Sequence, residues 1–190
     1  MPRSIIRAKL AVVGDCAVGK TALTKSFLTD GRDYPKNYEM TFGVELSTKM
    51  VPIPDTNDAV ELLIYDSAGL PFYEPLLSKY WNGANMFIVV LDVTSPSSVR
   101  SVPTWVSMVR GQAAVRADAT KGVLVANKAD LESRRVIGTS EGRELASSLQ
   151  LEYFEVSAKE NKGVTVPFEV LALYWHRVFV EKVESFHLIT

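Results

Sequence analysis

The chain has 190 residues, of which 47% are hydrophobic and 23% charged, and its formal net charge is -1. That length suits one globular domain with a well-buried core, and the near-zero charge offers no bulk attraction for nucleic acid or an anionic membrane. The one cysteine, Cys16, excludes an intramolecular disulfide framework and fits a reducing compartment.

The opening stretch MPRSIIRAKLAVVGD passes straight from its apolar run into GDCAVGK with no cleavage-type segment, so it reads as a strand, AKLAVVG, rather than a signal peptide. Gly14 to Thr21, GDCAVGKT, matches the phosphate-binding pattern G-x-x-x-x-G-K-[ST], and KTALTKSFL behind it has helical character. Such a loop wraps backbone N–H groups around phosphate oxygens at a helix N-terminus. Gly14, Asp15, Cys16, Ala17, Val18, Gly19 and Ala22 are therefore expected to line the nucleotide. Lys20 supplies a point charge for the terminal phosphates, and the Thr21 hydroxyl is placed to ligate Mg²⁺.

VELSTKMVPI and AVELLIYD follow one another with only the turn-rich PDTND between them, which predicts an antiparallel hairpin. DSAG, Asp66 to Gly69, ends the second of these strands. A carboxylate there lies beside the phosphate loop and can hold Mg²⁺, through water, while the Gly69 N–H can bond a γ-phosphate. By itself D-x-x-G also describes an ordinary turn with a capping aspartate; the phosphate loop ahead of it decides for function.

Helices are expected at YEPLLSKYW, SVPTWVSMVR and SEGRELASSLQ. The intervening strands MFIVVLDV and KGVLVANK are almost continuously apolar, as strands covered on both faces must be, and too short to span a bilayer. NKAD, Asn127 to Asp130, ends the latter. Asp130 can accept from the N1–H and N2–H₂ donors of guanine, an arrangement adenine does not offer. Lys128 can lay its stem over the base, and Asn127 can tie this loop to the phosphate loop. The last strand, LEYFEVSA, leads into SAK, Ser157 to Lys159, where the Ala158 N–H can donate to guanine O6.

A helix from about Val166 to Phe186 closes the chain, with Phe168, Leu171, Tyr174, Val178 and Phe179 spaced to pack on the sheet. Val180, Val183, Phe186, Leu188 and Ile189 carry apolar character further. This tail reads as a protein-binding surface, the alternative being a helix end folded back on its own domain. The terminus SFHLIT has no cysteine to prenylate, so no direct lipid anchor is expected. The expected architecture is α/β: a P-loop small G domain over residues 1–190 with an extended tail at about 166–190. Its mostly parallel six-stranded sheet has one antiparallel edge strand and about five flanking helices.

At these residues the chain resembles the Ras-like small GTPases over nearly its whole length. The resemblance implies GTP/GDP and Mg²⁺ as cofactors. YEMTFGVEL looks like the first switch of Rab proteins, which makes Thr41 the switch threonine: its hydroxyl is a Mg²⁺ ligand with Thr21 and Asp66, and its N–H senses the γ-phosphate. With Lys20 and Gly69 it completes the catalytic set, and Tyr34 is a candidate to pack edge-on against the base. VPIPDTNDAVELLIYDSAG resembles the Rab-like GTPase subunits of the intraflagellar transport particle. That likeness implies a small β-sandwich subunit held through the C-terminal region, other proteins of the larger B complex as partners, and a cytoplasmic and ciliary or flagellar location.

Leu70 departs from the Ras-like pattern, in which a glutamine after D-x-x-G orients the attacking water. An alkyl side chain cannot do so, and Cys16, a poor donor that reads as a small loop filler, is not expected to replace the amide. Slow hydrolysis is the expectation. Two functions stand: a switch that GTP orders and hydrolysis releases, or a docked structural subunit that keeps a guanine nucleotide for folding and assembly. An ATP-using kinase is disfavoured by NKAD and by the lack of a lid or acceptor domain.

Overall fold

The computed structural model describes residues 4–35, 37, 39–112 and 120–187, and the side chains of Pro71, Glu74, Phe186 and His187 lie outside that description. Six strands form one sheet in the order β2-β3-β1-β4-β5-β6. They are β1 (Ile5–Val13), β2 (Val44–Pro52), β3 (Ala59–Ser67), β4 (Met86–Asp92), β5 (Lys121–Asn127) and β6 (Glu152–Glu155). Among the described residues five α-helices flank them: α1 (Lys20–Leu28), α2 (Glu74–Trp81), α3 (Pro96–Gln112), α4 (Thr139–Ser148) and α5 (Val166–His187). β2 pairs antiparallel with β3, from Val44 opposite Ser67 to Pro52 opposite Ala59, and every other pairing is parallel. The expected fold class is therefore the observed one.

The two faces of the sheet carry two cores. Alternation along β1 sends Leu10 and Val12 towards Leu23, Phe27, Phe168 and Leu171, while Ala11 and Val13 face the side of Leu77, Trp81, Phe87 and Trp105. All seven residues of β4 are buried, which explains its unbroken apolar run. Phe27 of α1 and Phe168 of α5 stack at 3.9 Å between ring centroids, joining the helix behind the phosphate loop to the last helix.

β1 begins at Ile5, three residues before the expected strand, because Ile5 to Val12 register continuously with Ala59 to Asp66. Along α5, Phe168 and Leu171 are fully buried and Tyr174 and Val178 half-buried, but Phe179 is 40% exposed. The expectation that Phe179 packs on the sheet is thus corrected. Val180 and Val183 are half-buried. The Phe186 side chain, Leu188 and Ile189, which completed the expected apolar tail, fall outside the described residues. Among the described residues no helix is long and apolar enough to cross a membrane.

Candidate functional site

The phosphate loop leaves β1 at Gly14, which itself has a positive φ of 139°. Ala17 and Gly19 take left-handed backbone angles, φ 62° and 95°. This is the geometry that makes an anion-binding nest ahead of a helix N-terminus. At Gly19 a Cβ would lie 2.3 Å from Asn127 Nδ2, so glycine is required for close approach as well as for φ. Lys20, 6% exposed, folds back to donate to the carbonyls of Gly14 and Asp15 at 2.9 and 2.7 Å. Burial pushes its pKa down to about 8 against the attraction of Asp66.

Three oxygen-bearing side chains from three elements converge beside it. The Thr21 hydroxyl donates to Asp66 Oδ2 at 2.6 Å and lies 2.8 Å from the Thr41 hydroxyl. Asp66 is 2% exposed, and burial pushes its pKa up to about 6 despite the Thr21 hydrogen bond and the nearby Lys20. Its Oδ1 is buried without a hydrogen-bond partner among the described residues. A buried carboxylate oxygen left unsatisfied, beside two hydroxyls, is a donor set of hard oxygens that fits Mg²⁺. Among the described residues there is no group of three or more His, Cys, Asp or Glu side chains, so such an ion would complete its shell from water and phosphate oxygens.

Hydrogen bonds hold Asp66, Ser67 and Ala68 of the DSAG segment. The Ala68 N–H donates to the Gly43 carbonyl at 2.7 Å, linking the second switch stretch to the first. Gly69 lies so close to the phosphate loop that a Cβ would meet Asp15 C and Cys16 N at 2.4 Å. Leu70 is half-buried and does not line the cleft.

The NKAD and SAK stretches are riveted to this loop. Asn127, 2% exposed, donates through Nδ2 to the Val18 carbonyl at 2.9 Å and accepts at Oδ1 from the Ala158 N–H at 3.1 Å. The donor expected to read guanine O6 is therefore engaged with Asn127, and would reach a base only as a shared bond. Lys128, left-handed at φ 65°, donates to the Ala17 carbonyl at 2.8 Å and pairs with Asp92 Oδ2 at 2.6 Å, so its stem spans from β4 to the phosphate loop. The Ser157 hydroxyl donates to Asp130 Oδ1 at 2.7 Å and fixes the carboxylate.

A cleft of about 400 Å³ runs along Cys16, Ala17, Gly19, Lys20, Thr21, Ala22, Thr41 and Gly69. It meets a second of about 240 Å³ lined by Asn127, Lys128, Asp130, Ala158 and Lys159, and Gly19, Tyr34 and Lys128 line both. Tyr34, 41% exposed, stands at the junction. Of the sequence-predicted residues outside the cleft lining, Gly14 and Val18 contribute backbone carbonyls to the hydrogen bonds above, and Asp15 turns its carboxylate away towards α3.

Sequence reasoning missed several residues. Lys25, Asn37 and Glu39 also line the larger cleft, and Lys25 carries the one legible signal, lying one helical turn beyond Thr21. Asp92 closes an all-apolar strand, a charged end that could have flagged it as a partner for Lys128.

The family model described as Ras family matches residues 9–176. The chain is 42% identical over 184 residues to an intraflagellar transport protein 27 homolog of Homo sapiens, covering 97% of this chain and 98% of that protein. Intraflagellar transport protein 27 of Chlamydomonas reinhardtii is 38% identical over 183 residues, covering 95% and 90%. Ras-related protein Rab-3 of Caenorhabditis elegans is 36% identical over 163 residues, covering 86% and 71%.

Proposed function

Because the chain belongs to the Ras family of small GTPases, alongside the intraflagellar transport protein 27 homologues, we propose that it binds GTP and GDP with Mg²⁺, hydrolyses GTP slowly, and serves as a subunit of the intraflagellar transport B complex in cilia or flagella. The observation that carries the nucleotide reading is the continuity of the two cavities: a phosphate cradle and an Asp130-lined pocket share Gly19, Tyr34 and Lys128. In this reading Lys20 and the loop N–H groups bind the phosphates, Asp130 selects guanine, and Asn127 holds base pocket and phosphate loop in one register. Thr21, Thr41 and Asp66 would hold Mg²⁺, whose charge supports the β- and γ-phosphate oxygens. Mass-spectrometric identification of the nucleotide and proteins that co-purify with the chain from ciliated cells tests the proposal. Guanine nucleotides and B-complex proteins are expected; adenine nucleotides, or no nucleotide, would refute it.

Slow hydrolysis is assigned to Leu70. Leu70→Gln is expected to raise single-turnover hydrolysis roughly tenfold, below the about 10²–10⁴-fold of a fully positioned proton-handling group because the new amide must also be held in place beside Cys16, with GTP affinity nearly unchanged. Equal rates in wild type, Leu70→Gln and the double variant with Cys16→Gly would move the missing group to a partner, such as an arginine supplied in trans.

The end of α5 is assigned to partner binding, in keeping with the exposed Phe179. Deleting the residues after Val180 removes no phosphate- or base-contacting group. It is expected to spare nucleotide binding while weakening capture of the β-sandwich subunit by at least about tenfold, the loss of a few buried apolar anchors. Capture at wild-type affinity would make the tail a folded-back end. Whether the protein switches or stays docked is decided by comparing partner affinity in the GTP- and GDP-loaded forms: equal values favour the structural role.

A further inference from the structure

Two buried tryptophans lie behind the phosphate end of the cleft, and the nucleotide reading uses neither. Trp105 of α3, 6% exposed, donates its indole N–H to Asp15 Oδ1 at 2.7 Å. One turn earlier, Ser101 donates its hydroxyl to Asp15 Oδ2 at 2.6 Å. One helix thus holds both oxygens of a carboxylate that belongs to the phosphate loop. The Trp105 ring meets the Trp81 ring of α2 edge-on, with centroids 6.2 Å apart and planes at 72°. Trp81, 1% exposed, in turn donates its N–H to the Ser67 hydroxyl at 2.9 Å, inside DSAG.

Both ends of this chain of contacts meet again at the site. Gly69, two residues beyond Ser67, sits against the backbone of Asp15 and Cys16, closer than any Cβ could. In the nucleotide reading above, in which the Gly69 N–H meets the γ-phosphate, that junction walls the place of the third phosphate. An indole N–H is a single, directional donor that cannot be exchanged for another on the same ring. Each tryptophan therefore fixes one wall, and their contact fixes the walls relative to each other.

We propose that Trp105 and Trp81 are positioning residues that hold the phosphate loop and the second switch segment in the register that accepts a γ-phosphate. The inference rests on the guanine-nucleotide reading above. In that reading a diphosphate would stop short of the junction, so loosening it is expected to discriminate between the two nucleotides, which general destabilisation would not.

The test measures dissociation constants for GDP and for a non-hydrolysable GTP analogue, both with Mg²⁺, on the full chain as wild type, Trp105→Phe, Trp81→Phe and the double variant. Each single change is expected to weaken analogue binding about tenfold, the order of one lost hydrogen bond to a charged or preorganised group, with GDP binding altered less than about twofold. The double variant is expected to stay near tenfold instead of the roughly hundredfold that independent sites give. Equal losses for both nucleotides, unchanged analogue affinity, or a multiplicative double variant would each overturn the inference. If thermal melts show the phenylalanine variants unfolded, Ser101→Ala, which removes the second donor to Asp15, must show the same split, and its absence overturns the proposal. Wild-type protein that binds neither guanine nucleotide would overturn the nucleotide reading itself, an outcome distinct from all of these.

Discussion

Asp130→Asn is expected to cost about two decades of GTP affinity and to shift preference to xanthosine triphosphate. In the proposed reading the carboxylate accepts two hydrogen bonds from guanine, and an amide in its place offers one acceptor and one donor. Losing such a charge-assisted pair costs ~2–3 kcal/mol. Xanthine presents an acceptor at position 2, which the new amide can satisfy. Ser157 makes the experiment clean. Its hydroxyl donates to Asp130 Oδ1 at 2.7 Å, and a hydroxyl can donate to an amide oxygen or accept from an amide nitrogen. The loop geometry is therefore expected to survive, so that the effect reads base recognition. Isothermal titration with both nucleotides decides, and undiminished GTP affinity would remove Asp130 from the base site.

Gly69→Ala is expected to weaken binding of a GTP analogue by up to about two decades while leaving GDP binding within a few-fold. The added Cβ would stand 2.4 Å from Asp15 C and Cys16 N, both backbone atoms that no rotamer change can withdraw. Either the phosphate loop or the second switch segment must move, and overpacking of that kind costs ~1–3 kcal/mol. The Ala68 N–H bond to Gly43 opposes movement of the switch segment, and the Asp15 bonds to Ser101 and Trp105 oppose movement of the loop. In the proposed reading the strain therefore falls on the arrangement that accepts a third phosphate. Stopped-flow binding of fluorescent GDP and GTP analogues measures both arms. Equal affinities in wild type and variant for the GTP analogue would show that Gly69 need not sit so close when the third phosphate is bound.

These two expectations differ in how much of their basis is visible before folding. The guanine assignment of Asp130 follows from four consecutive residues after an apolar strand, a local pattern. The spacing of Gly14, Gly19, Lys20 and Thr21 is equally local, since a nest of N–H groups and a helix N-terminus are built from neighbours in the chain. Apolar periodicity likewise places the six strands and five helices, because burial on one face or both writes itself directly into side-chain choice. The antiparallel edge was legible for the same reason: the two strands are joined by a turn too short for a crossover.

Which distant groups meet was set by folding the whole chain. Asp15 lies 86 and 90 positions from Ser101 and Trp105, and Lys128 lies 111 from the Ala17 carbonyl. Nothing in the local sequence around Asp15 distinguishes a carboxylate aimed at α3 from one aimed at a ligand. The same holds for the Ala158 N–H, whose partner is Asn127 Oδ1, and for Phe179, whose spacing says core while the packed molecule leaves it exposed. Periodicity specifies the face a residue presents, and a motif specifies the chemistry it brings. The partner across the cleft is set by strand order and by where each strand ends, and these emerge from packing the whole sheet at once.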